Sequence, residues 1–110
     1  MLEKKYDNMY EDIKNSLNFP EDIKNSFMES SCNKIKYYGN AQNEKWGLRA
    51  YDIIVQIEPY LDESGYKIVV SLKMMDEPWI DSYGLVDDVI RDLNKYIDKF
   101  FASLSYKRSF

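Results

Sequence analysis

The sequence predicts one α+β domain with two N-terminal helices, a three-stranded antiparallel meander and a long C-terminal helix packed on one face of the sheet. Three observations lead there. Apolar residues recur at helical spacing near both ends of the chain, and they alternate at strand spacing through the middle. The length of 110 residues is enough for one core and too short to divide comfortably into two. The expected division is a helical segment over 1–31, the sheet over 33–75 and the last helix over 83–104 of a single 1–110 domain.

Leu2, Tyr6, Met9, Ile13 and Leu17 follow one another at steps of three and four, which makes a single stripe on a first helix. Asn18, Phe19 and Pro20 interrupt it. Pro20 followed by Glu21 and Asp22 suits the first turn of a second helix, where a missing N–H costs nothing and acids face the positive end of the dipole. That helix is expected over roughly 20–30, burying Ile23 and Phe27. The hexapeptide EDIKNS stands in both helices, at Glu11–Ser16 and Glu21–Ser26. A spacing of ten is too short for stacked repeats, so the two copies are read as helical turns that each bury one isoleucine.

Lys34–Tyr38 alternates and is rich in β formers, and the polar Gly39–Glu44 reads as a turn. Lys45–Glu58 reads as a long strand whose parity flips at Ala50 and Tyr51, as one extra residue in a bulge would make it. Pro59 is expected to end that strand, Leu61–Gly65 to form a hairpin loop, and Tyr66–Met75 to return with Ile68, Val70, Leu72 and Met74 on one face. Asp76–Gly84 is a loop by composition. From Leu85 the clearest helical stripe begins, running through Val89, Leu93, Ile97, Phe101 and Leu104, with Asp87 and Asp88 early and Lys99 late to suit the dipole. The tail Ser105–Phe110 is expected to fray.

Several kinds of chemistry are disfavoured by composition. The chain has no histidine, which takes away the commonest general base and metal ligand, and its single Cys32 rules out a thiolate zinc site. SSCNK around Cys32 shows no base to activate a nucleophile. The four glycines are dispersed singly, so no phosphate-cradling loop exists. Asp88 and Asp92, one helical turn apart, read as a solvated face rather than a metal site or an acid–base pair. No cofactor, no metal and no enzymatic activity is expected.

A lone cysteine and an N-terminus without an apolar run point to a cytoplasmic protein outside the membrane. Twelve lysines against three arginines, with abundant Asn, Ile and Tyr, suggest AT-rich coding and a low-GC bacterium or one of its mobile elements. The formal charge of −4 is unevenly spread: Asp76–Asp98 sums to −5, and Lys34–Asp52 to +2. Helix, three strands and helix is the layout of double-stranded RNA-binding domains, but those modules carry lysines where this last helix starts with Leu85, Val86, Asp87 and Asp88. Direct nucleic-acid binding is therefore disfavoured, with Lys34, Lys36, Lys45 and Arg49 as the patch that would carry it.

The candidate binding surface is the acidic, aromatic segment: Asp76, Glu77, Trp79, Asp81, Tyr83, Asp87, Asp88 and Asp92. Tryptophan and tyrosine lead among interface anchors, and an acidic rim suits a partner with a basic surface. Trp79 has a second reading, as a lid folded back on the core. The small size, acidity and AT-rich coding are similar in character to anti-CRISPR proteins, which block a nuclease at its DNA-binding surface; no shared motif carries the likeness. An inhibitor of a nucleic-acid-handling enzyme, from a phage or mobile element, is the expected function. The alternative is an immunity protein or antitoxin neutralising a cognate toxin, with a double-stranded nucleic-acid-binding module or a small enzyme as more remote readings. An exposed sheet edge also offers a route to a homodimer.

Overall fold

The computed structural model describes residues 10–30, 34–37, 45–49 and 52–108. Helix α1, described over 10–16, buries Tyr10 and Ile13, and Leu17 is buried just past its end. The earlier stripe residues Leu2, Tyr6 and Met9, the Gly39–Glu44 turn and Cys32 lie outside the described residues. Pro20 is the N-cap of a one-turn helix α2, Glu21–Lys24, its carbonyl accepting the Lys24 N–H at 2.9 Å. The expected helix over 20–30 stops there. Asn25 and Ser26 are weak helix formers, the Ser26 hydroxyl bonds the Asp22 carbonyl at 3.0 Å, and the chain leaves as strand β1, Phe27–Ser30. Ile23 and Phe27 are both buried as expected, but from two different elements.

β2 is Lys34–Tyr37, β3 Ile53–Asp62, β4 Gly65–Met74 and β5 Ile80–Gly84, followed by α3, Val86–Arg108. The expected antiparallel meander is present as β2-β3-β4, and it is widened by one strand on each side into a sheet of order β1-β2-β3-β4-β5. Three expectations are corrected on the way. Lys45–Gly47 is a turn, and continuous strand begins only at Ile53; the proposed bulge residues Ala50 and Tyr51 lie outside the described residues. Pro59 does not end β3. It stands opposite Ile68 in a ladder that runs on to Asp62↔Gly65 across a two-residue turn. Counting back from that closing pair, Pro59↔Ile68 is a non-hydrogen-bonded pair, so its missing N–H faces away from β4, and the described ladder with β2 has already ended at Lys34↔Gln56.

The third correction is at the C-terminal end. Asp76–Gly84 is not all loop, because its second half is β5, and α3 starts at Val86 rather than 83. Gly84, at φ +131°, makes the turn between strand and helix in a region that side-chain-bearing residues rarely adopt. Ser105–Arg108 continue α3 instead of fraying.

Ile53, Val55, Ile57, Ile68, Val70, Leu72 and Met74 line one face of the sheet and form a single core with Ile13, Leu17, Ile23, Leu48 and the α3 residues Val89, Leu93, Ile97 and Phe101. Each such aliphatic side chain, fully buried, contributes about 1.5–3 kcal/mol. Phe19 meets Phe27 and Phe101 edge to face at 5.0 and 6.0 Å, and Trp46 meets Phe101 at 5.0 Å. The end of α1 is tied to α3 by one amide: Asn94 Oδ1 accepts the Asn18 N–H at 2.8 Å, and its Nδ2 donates to the Ser16 carbonyl at 3.1 Å. Among the described residues, no helix is long and apolar enough to cross a membrane.

Candidate functional site

The acidic segment begins in a turn organised by a lysine. Met75 holds φ 49°, the one positive value among described non-glycine residues, with its N–H on the Asp52 carbonyl at 2.6 Å. The Glu77 N–H returns to the Met74 carbonyl at 3.0 Å. Lys73 Nζ donates to the carbonyls of both Met75 and Glu77, so its charge lies against backbone oxygens of the turn. Asp76 and Glu77 then stand exposed, and Trp79 comes next at 45% exposure. Trp79 is thus half-covered and lies outside the buried core cluster.

Strand β5 divides its residues by alternation. Ile80 and Ser82 stand opposite Leu72 and Val70, on the core face. Asp81 and Tyr83 stand opposite Ser71 and Val69, on the face away from the core, and Tyr83 is 76% exposed. Two alternating positions of an edge strand thus present a carboxylate and an almost free phenol ring on one surface.

Asp87, Asp88 and Asp92 belong to α3, which packs on the core face over β4 and β5. Asp87 and Asp92 are exposed, and Asp88 accepts Arg91 Nη2 at 2.9 Å. The expected site is therefore two surfaces meeting at the β5 edge. One carries Asp81 and Tyr83, the other carries the α3 acids, and the Asp76, Glu77 and Trp79 turn stands at the start of β5. The helix start bears exposed Asp87 where a phosphate-binding module would need lysine. In the basic patch, Lys45 Nζ sits 5.2 Å above the Trp46 ring. Among the described residues, no group of three or more His, Cys, Asp or Glu is placed to hold a metal ion.

One exposed element escaped the sequence pattern. Residues 60–62 and 65–67 extend as a two-stranded ribbon past the described pairing of both β2 and β5, with Leu61 65% exposed near the turn. An apolar residue inside an expected hairpin loop carries no signal of its own. No family model, no curated protein and no solved structure matches the chain.

Proposed function

We propose that this chain works by binding rather than catalysis, as a cytoplasmic inhibitor from a phage or mobile element that docks on the basic surface of a nucleic-acid-handling enzyme such as a CRISPR nuclease. The observation that carries the reading is Tyr83, 76% exposed on an edge strand, with Asp81 on the same face and Trp79 just before the strand. A large aromatic left in water gains most when a partner covers it, and the neighbouring acids select a partner of opposite charge and speed its approach.

The test is DNA cleavage by a panel of guide-loaded CRISPR nucleases from low-GC bacteria, with the purified chain added in equimolar amount. Wild type abolishes cleavage by at least one nuclease, and Tyr83→Ala combined with Asp81→Lys weakens inhibition by about 100-fold, which corresponds to about 2.8 kcal/mol and lies in the range of an interface anchor. Equal inhibition by the double variant removes this surface from the reading. No inhibition anywhere in the panel, with binding to a secreted-toxin domain instead, replaces the inhibitor by an immunity protein.

A further inference from the structure

Among the described residues β5 ends the sheet on its side, and its backbone is not symmetric. Met75 N–H bonds Asp52 C=O, which fixes the odd-numbered residues of β4 as those bonded to β3. The even-numbered ones therefore bond β5, through Ile80, Ser82 and Gly84. Asp81 and Tyr83 are left with N–H and C=O directed outward. We propose that this row pairs antiparallel with β5 of a second copy, about a twofold axis at Ser82. In that register Asp81 faces Tyr83 of the copy and Tyr83 faces its Asp81. The four outward N–H and C=O groups of each strand are all satisfied, and no carboxylate opposes its twin. Centring on Asp81 would set two carboxylates face to face, and centring on Tyr83 would place Asp81 opposite Leu85, beyond the strand end.

Two further features of this margin fit the pairing. α3 packs over β4 and β5 alike, so a continued sheet separates it from its copy by two strand spacings, about 10 Å, which is a helix-packing distance. Asn94 and Asp98 turn one flank of α3 toward α1. At 100° per residue the opposite flank carries Tyr96, 49% exposed, with Asp88, Asp92 and Lys99, and Leu85, 53% exposed, stands one residue before the helix. Tyr96 on that flank and Leu85 just before it are thus two large side chains in water on the side that would meet the copy. The pairing stands independently of the inhibitor reading, since the Asp81 and Tyr83 side chains stay on the open sheet face.

The experiment is sedimentation velocity on the full chain with two variants. Wild type sediments at twice the 13.1 kDa chain mass. Tyr83→Pro removes an outward N–H that the β4 ladder does not use, so it returns the monomer with an unchanged circular dichroism spectrum. In a Cys32→Ser background, Ser82→Cys oxidises to a covalent dimer, because a non-hydrogen-bonded pair about 4.5 Å apart at Cα suits a disulfide, while Glu77→Cys does not. Should Tyr83→Pro fail to fold, the crosslink alone decides. A wild-type monomer up to the solubility limit overturns the proposal, and so does a dimer in which Ser82→Cys stays uncrosslinked.

Discussion

The two copies of EDIKNS put identical residues in two different structures. Glu11–Ser16 lies wholly within helix α1, while in Glu21–Ser26 only the first four residues are helical and Asn25 and Ser26 turn into β1. The isoleucine behaves alike in both, since Ile13 and Ile23 are each 0% exposed in the same core. The polar residues do not. Lys14 pairs with Glu11 of its own turn at 3.3 Å, whereas Lys24 Nζ reaches the Asn15 carbonyl of the other copy at 2.8 Å. Asp22 Oδ1 receives Trp46 Nε1 at 3.3 Å, whereas Asp12 is exposed. Local sequence specifies which side chain is buried; the same Asn–Ser pair is helical in the first copy and turns into β1 in the second, so it does not by itself set where the helix ends.

This comparison is open to test by chemical denaturation. The largest effect falls where the copies agree: Ile13→Ala and Ile23→Ala each cost about 2–5 kcal/mol, and a much smaller loss at Ile23 would show that α2 is not part of the core. An intermediate effect belongs to the bond partner of the first copy alone. Asn94→Ala removes two hydrogen bonds to the end of α1 and costs about 1–2 kcal/mol, with faster amide exchange in α1 than in the sheet. The smallest effect separates the copies at one position. Asp22→Ala costs about 1 kcal/mol through Trp46, while Asp12→Ala stays within about 0.5 kcal/mol; equal values would mean that the Trp46 bond carries no stability.

An element is legible in the sequence where its buried face is unbroken and illegible where that face is not. α3 and the β3–β4 pair were readable because their buried faces are apolar without interruption, as Val89, Leu93, Ile97 and Phe101 or Ile68, Val70, Leu72 and Met74 show. β5 was not, because its core face offers only Ile80, Ser82 and Gly84, and two of those three are turn formers. β1 was hidden by helix-forming chemistry just before it. The eight acidic and aromatic candidate residues read as one segment in the sequence, and only β5 being a strand divides them between two faces.

Pro59 carries a consequence for how reliably this sheet assembles. A strand as apolar as Ile53–Ile57 has two ways to lie against β4, related by turning it over, and hydrophobicity alone penalises the wrong one only after the core has closed. With Pro59 in the chain, the inverted strand would lack a donor at a position where the β4 ladder requires one, and it would be weakened while the hairpin is still an isolated pair. A single imino acid thus penalises the inverted strand within the β3–β4 pair itself, separately from any penalty from the core.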